Sequence, residues 1–154
     1  MQKGEKKKKF SAVIDTGVLI EYINEKSENH EKVKELIDSS DSTLYVTPIS
    51  LSEVLYVSYR IYKVAGLNDA NNRAKDFVKW LSFKLNVTDI NQNIIIEAGE
   101  IKEKYGIALP DCYVIATANY LKVKALFKKE KEIVQIIDEL RKDLGCIITF
   151  IDEI

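Results

Sequence analysis

The stretch Phe10–Asp15, FSAVID, is short and apolar, stands between a run of lysines and Thr16-Gly17, and ends on an acid. An apolar run of that length without polar alternation suits a strand covered on both faces, as in a parallel sheet. The pattern recurs along the chain. Val18, Leu19, Tyr22 and Ile23 step at helical spacing, and Val33, Leu36 and Ile37 mark a second helix ending in the polar turn Ser39–Ser42. Thr43–Thr47, β-branched and aromatic, is the second strand, stopped by Pro48. Leu51, Val54, Leu55, Ser58, Ile61, Tyr62 and Ala65 stripe a long helix closed by Gly66. Asn68 is placed to cap the next helix, whose inner face is Ala70, Ala74, Phe77, Val78 and Leu81, so the two helices form a hairpin.

Leu85–Ile90 reads as a short strand or extended link, and Asn91 opens a helix with Ile94, Ala98, Ile101 and Tyr105 inward and Gly106 as its stop. Pro110 is pre-set for a first helical turn, which puts Asp111 in that turn and Val114, Ile115 and Ala118 on the buried side. Val123–Phe127 is a further strand. Ile133, Ile136, Ile137, Leu140 and Leu144 give one last helix closed by Gly145, and Cys146–Ile151 is apolar throughout, as a central parallel strand should be. Strands alternating with helices predict an α/β fold, a doubly wound parallel sheet between helical layers, with right-handed crossovers.

A chain of 154 residues fits one domain. Residues 1–9 read as a basic N-terminal tail and residues 10–154 as the domain, with no repeat or linker. Hydrophobic residues at 46% and charged residues at 31% exclude a mostly disordered chain. No apolar run approaches the roughly 20 residues of a membrane helix, and the basic start lacks the apolar region of a secretory signal, so the expected location is cytoplasmic. Cys112 and Cys146 lack metal-ligand spacing and read as small buried hydrophobes in a reducing compartment. A net charge of −1 means that any nucleic-acid affinity comes from local patches, such as Lys122, Lys124, Lys128, Lys129 and Lys131, or from bound metal.

Four acids stand where an apolar run meets a helix start or a turn: Asp15, Glu53, Asp111 and Glu130. In an open parallel sheet such positions converge on a crevice at the carboxyl ends of the strands. Carboxylates about 5 Å apart repel by roughly 3 kcal/mol per ionised pair at an effective dielectric near 20, so convergence requires shared protons or a bound cation. Each acid also has a purely structural reading. Asp15 can cap the helix it precedes, Thr16 can do the same or hydrogen-bond a carboxylate, and Ser50-Leu51-Ser52-Glu53 has the form of a capping box. Asp111 is favoured by the helix dipole, and Glu130 can be a solvated helix start.

His30 is the only histidine, in a polar helix far from these motifs, which leaves nucleophilic Ser/His or Cys/His catalysis and histidine-ligated zinc without material. There is no Walker-type phosphate loop, and Asp15-Thr16-Gly17 lacks the second acid of an aspartyl-phosphate phosphatase.

Taken in order, these segments resemble the PIN domain family, specifically the small prokaryotic toxins of the VapC type. The resemblance runs from Phe10 to Ile154 and is carried by Asp15-Thr16 followed by Val18-Leu19-Ile20, by Ser52-Glu53-Val54 after the second strand, and by Asp111-Cys112-Tyr113-Val114-Ile115-Ala116-Thr117-Ala118. It implies a three-layer α/β/α fold with a central parallel sheet. It also implies that Asp15, Glu53 and Asp111 are catalytic metal ligands, supported from behind by Thr16 and Thr117. The fourth acid of such domains is usually an aspartate; here Glu130 and Glu132 are available, and Glu130, the first after the strand, is expected to face the metal while Glu132 faces solvent.

Hard oxygen donors suit Mg²⁺ or Mn²⁺. The activity implied is hydrolysis of RNA phosphodiesters by an endoribonuclease toxin, restrained by a small antitoxin and assembled as a homodimer. The groove of the helical hairpin, with Tyr59 and Trp80, is the expected partner seat. The alternatives are a PIN-like scaffold that binds RNA or protein without cutting, and an RNA-processing nuclease that has no antitoxin.

Overall fold

The computed structural model describes residues 10–145 and 147–154. Strand β1, Phe10–Ile14, pairs on one side with β2, Ser42–Val46, and on the other with β4, Lys124–Phe127; β3, Asn86–Val87, and β5, Ile148–Phe150, form the edges. All pairings are parallel and the order is β3-β2-β1-β4-β5. The chain winds from β1 outward through β2 to β3, then returns to lay β4 on the other side of β1. The order therefore reverses between β1 and β4, and in open α/β sheets the crevice above such a reversal is where ligands are held.

Alternation along β1 builds the two helical layers. Ala12 and Ile14 point into a core with Leu44, Val46 and Leu126, closed by α1 (Thr16–Ile20), α2 (His30–Asp38), α3 (Pro48–Val64) and α4 (Ala70–Lys84). Val13 points the other way, with Ala125, Phe127 and Ile148, towards α5 (Gln92–Tyr105), α6 (Leu109–Leu121), α7 (Lys131–Val134) and α8 (Ile137–Leu144). The carboxyl-terminal parts of β1 and β4 are thus buried on both faces, as the unbroken apolar runs require, while Tyr45 of β2 is half-buried. The result is the expected three-layer α/β/α arrangement.

Four local expectations are corrected. Helix α3 begins at Pro48 with Thr47 as its cap, Thr47 Oγ1 accepting from the Ser50 N–H at 3.0 Å, so Ser50-Leu51-Ser52-Glu53 lies inside the helix and is no capping box. The proline fits the first turn, where no N–H is required of it. Asn68 does not cap α4; Asp69 precedes that helix in the left-handed conformation, and the Asn68 carbonyl accepts from Arg73 Nε. The last helix is broken into α7 and α8. The final apolar run is an edge strand of three residues, Ile148–Phe150, not a central one. Cys112 is buried and free, while the basic tail and Cys146 lie outside the described residues. Among the described residues no helix is long and apolar enough to cross a membrane.

Candidate active site

Asp15 directly follows β1, and its backbone N–H is held by the Leu126 carbonyl of β4 at 3.0 Å, which fixes it above the reversal of strand order. Its Oδ2 accepts from the Gly17 N–H at 3.2 Å, the cap of α1, so the structural reading of Asp15 is correct as far as it goes. The side chain is nonetheless 4% exposed and Oδ1 has no partner, which capping does not explain.

Thr16 does not cap. It donates from Oγ1 to Glu53 Oε1 at 2.8 Å, across to α3, with a longer contact to the Ser50 carbonyl. Tyr56, one turn on, donates to Glu53 Oε2 at 3.3 Å. Asp111 stands in the first turn of α6, and Glu130 precedes α7 just after β4. Asp15, Thr16, Glu53, Asp111, Glu130 and Glu132 line one cavity of about 370 Å³.

The expectation that only one of Glu130 and Glu132 can face this cavity is therefore corrected. It assumed that both lie on one helix, whereas Glu130 is extended (φ −122°, ψ 144°) and α7 begins after it. The charge of Glu130 acts on Asp15 and Asp111, and that of Glu132 on Asp111. Gly17 makes room for it, since a Cβ at position 17 would lie 3.1 Å from Glu130 Oε1 and 3.4 Å from Asp15 Oδ2.

Thr117 is not at this cavity. It lies six residues beyond Asp111 on α6, fully buried, and lines a separate cavity of about 350 Å³ with Tyr45, Asn86, Thr88, Asn91 and Tyr120. Its Oγ1 has no partner. Trp80 is half-buried against Tyr22 (ring centroids 4.7 Å apart) and Phe77, which leaves Tyr59, with Leu55, Tyr56 and Asn71, to line the groove between α3 and α4.

Crowding shows in the protonation of the acids. Burial, then the charge and hydrogen bonding of Asp111, then the charge of Glu130 hold Asp15 well above the usual carboxylate range, against the opposing Gly17 N–H. Asp111 is pushed up to about 6, first by burial and then by Glu130, Glu53 and Glu132, while its hydrogen bond with Asp15 pulls it down. Burial and the neighbouring acids thus favour the protonated form of Asp15, and its Oδ1 is left without a hydrogen-bond partner. Among the described residues no three such side chains are already placed to enclose a metal ion.

Sequence reasoning misses one further acid that lines the cavity. Glu21, in the one-turn 3-10 helix Glu21–Ile23 after α1, is 3% exposed, and its Oε1 pairs with Lys128 Nζ at 2.5 Å while Oε2 has no partner. His30, set aside as remote, reaches the Glu21 carbonyl with Nδ1 at 3.0 Å. The available signal was an acid inside the apolar run Val18-Leu19-Ile20-Glu21-Tyr22-Ile23. An ionised side chain there requires a partner.

Solved structures share this architecture. A toxin–antitoxin complex from Klebsiella pneumoniae aligns over 93% of this chain and 99% of its own, at 17% identity and TM-score 0.62. VapBC2 from Rickettsia felis, bound to a DNA fragment from its promoter, aligns over 92% and 98% at 16% identity and TM-score 0.64. VapC20 of Mycobacterium tuberculosis, a toxin that cleaves the sarcin-ricin loop, aligns over 80% and 94% at 14% identity and TM-score 0.64. Comparison with curated proteins gives no match. At these identities the structures establish the fold alone. The model of the PIN domain family matches residues 12–139, most of the chain, and the chain belongs to that family.

Proposed function

We propose that this protein is a divalent-metal-dependent endoribonuclease and the toxin of a toxin–antitoxin pair. The observation that carries the reading is the convergence of Asp15, Glu53 and Asp111, from three separated segments, on one cavity at the β1–β4 reversal, with Asp15 Oδ1 buried and unpartnered. A cluster of that kind destabilises the fold unless something positive joins it. The donors are all carboxylate oxygens, the set that suits Mg²⁺ or Mn²⁺.

Asp15, Glu53 and Asp111 would hold the ion, with Glu130 as the fourth acid. A cation bound there would polarise the scissile phosphate and acidify the attacking water. The chain supplies the positioning. Thr16 and Tyr56 each hold one oxygen of Glu53, and the Gly17 N–H fixes Asp15 by Oδ2, leaving Oδ1 free. Asp15 and Asp111 must give up their proton to hold the cation, so loading releases protons and weakens as pH falls.

The proposed partners are single-stranded or loop RNA as substrate, a second copy of the chain, and a small antitoxin whose amphipathic helix would lie in the α3–α4 groove beside Tyr59. The rival is a PIN-like scaffold that binds RNA or protein without cutting.

The test is cleavage of RNA by the purified protein with Mg²⁺ or Mn²⁺, with and without excess chelator. Asp15→Asn keeps the shape and removes a ligand charge; it should lower cleavage by at least about 100-fold, a loss typical of a removed transition-state contact, with the circular dichroism spectrum unchanged. Full activity in that variant, or in chelator, would sink the metallonuclease and leave the scaffold.

A further inference from the structure

Among the described residues lining the acidic cavity, Lys128 is the one cation. It also lines the adjoining cleft of about 130 Å³, formed with Glu28, Asn29, Lys129, Ile151 and Asp152. Lys128 is thus the shared wall of two openings. Its position is set from below: Nζ pairs at 2.5 Å with Glu21, whose side chain is 3% exposed while that of Lys128 is 45% exposed. An ammonium has three donors, and this contact uses one. The next residue, Lys129, pairs with Asp152 at 2.9 Å, and both are about half exposed. An exposed pair of that kind contributes little and can be exchanged for another anion.

Resting on the nuclease reading of the cavity, we infer that Lys128 is a substrate-binding residue. Single-stranded RNA runs from the acidic cavity across Lys128 into the adjoining cleft, where Lys129 takes a further phosphate. A polyanion approaching six carboxylates requires a positive step at the entrance, and β4 delivers two lysines there in succession. Glu21 holds Lys128 upright rather than letting it fold into the acids: a buried carboxylate with one free oxygen is a stronger tether than Glu130 or Glu132, both exposed. Glu28 and Asp152 also line that cleft, so the phosphate at Lys129 takes the place of Asp152. The competing account is that Lys128 merely neutralises Glu21.

Binding to a fluorescent single-stranded RNA of about 12 nucleotides, long enough to cross a site of the usual single-strand size, separates the two accounts. It is measured in excess EDTA so that no cleavage occurs, over a salt titration. Because Lys128→Gln alone strands the Glu21 charge, the informative variant is Glu21→Gln/Lys128→Gln, which removes the pair and keeps its shape. We expect it, and Lys129→Gln separately, to bind more weakly and to flatten the plot of log affinity against log salt by about 0.7 each, the value of one single-strand phosphate contact. Between about 50 and about 200 mM salt each variant would then lose roughly 2.5-fold less affinity than the parent. Lys79→Gln, on the exposed face of α4, should leave the slope unchanged.

A parent-like affinity and slope in the double variant overturns the path and makes the pair structural, whatever the enzyme cleaves. No measurable RNA binding by the parent overturns it as well. Lys128-dependent binding without any metal-dependent cleavage upholds the path and refutes the nuclease.

Discussion

Two cavities of nearly the same volume, about 370 and about 350 Å³, are built into the fold by different means. One lies at the carboxyl ends of β1 and β4, lined by Asp15, Glu21, Glu53, Asp111, Glu130 and Glu132, with Lys128 as its cation. The other lies beside the β2–β3 edge and is lined by Tyr45, Val87, Ile94, Tyr120 and Leu121 together with the polar Asn86, Thr88, Asn91 and Thr117 and a single acid, Asp89. In the second, mixed apolar and neutral polar walls with one acid are what the packing of α5 and α6 on a sheet edge leaves behind, and one hydroxyl without a partner is a small cost. In the first, two carboxylates each leave an oxygen unpaired and one acid is driven to about 6. Volume does not distinguish the cavities; opposition to stability does. Like charges kept together where an apolar residue would pack better are what a cation site requires, with retained protons and the Lys128–Glu21 pair offsetting the repulsion when no cation is bound.

The comparison breaks most visibly if the acidic cavity turns out to cost nothing. Asp15 and Asp111 hold their protons to higher pH in the folded protein than in the unfolded chain. The folded state therefore binds more protons in the intervening window, and stability falls as pH rises from about 4, the unfolded value, through the folded value of about 6 for Asp111. The expected result for metal-free protein is a melting temperature that declines across that window and then levels once both acids have ionised. Asp111→Asn should flatten the decline. Added Mg²⁺ or Mn²⁺ should reverse it, and at 100 times the dissociation constant the gain is about 2.7 kcal/mol. A melting temperature indifferent to pH in this range, or a cation effect equal in Asp15→Asn, would mean that the acids are not a strained cation site.

A smaller effect sharpens the boundary of the site. Glu130 acts on both buried acids and Glu132 on Asp111 alone. Glu130→Gln should therefore weaken metal affinity and cleavage more than Glu132→Gln, by about 10-fold against a few-fold, within the range for partners at the margin of a metal site. Titration calorimetry with Mn²⁺ on both variants reads the order. A larger loss at Glu132 reverses the assignment, and no loss at either leaves the three inner acids as the whole site.

What could be read from the residues alone follows how local each cause is. Phe10–Asp15, Thr43–Thr47 and the Asn91 cap were legible because a strand covered on both faces and a side-chain cap are written within a few residues. The start of α3 was misread although Thr47-Pro48 signals it, because Ser50 and Glu53 imitate a capping box one turn later. Freed from that role, Glu53 is available to Thr16. The spacing of Glu130 and Glu132 suggests opposite faces of one helix, a premise that the extended backbone at Glu130 removes. Glu21 went unnoticed because its partner, Lys128, comes from the far side of the sequence and only the β1–β4 pairing brings them together. The final apolar run was placed centrally because burial on both faces does not say which strand has neighbours on both sides.

Thr117 gives the smallest effect and the cleanest separation of the two cavities. The family resemblance assigns it to the support of the metal ligands, whereas it lies about 9 Å further along α6 than Asp111 at 1.5 Å per residue and borders the cavity at the β2–β3 edge. Its Oγ1 is buried without a partner. Thr117→Val removes that hydroxyl and keeps the branched shape. Losing an unpaired buried hydroxyl should stabilise the fold by about 1 kcal/mol, or about 2–4 °C in melting temperature for a chain of this size. RNA cleavage and Mn²⁺ affinity should not change, because no hydrogen bond connects Thr117 to Asp15, Glu53 or Asp111. A drop in metal affinity with the fold intact would show that the two cavities are coupled through α6. It would restore Thr117 to the site, since the helix that carries it also aims Asp111.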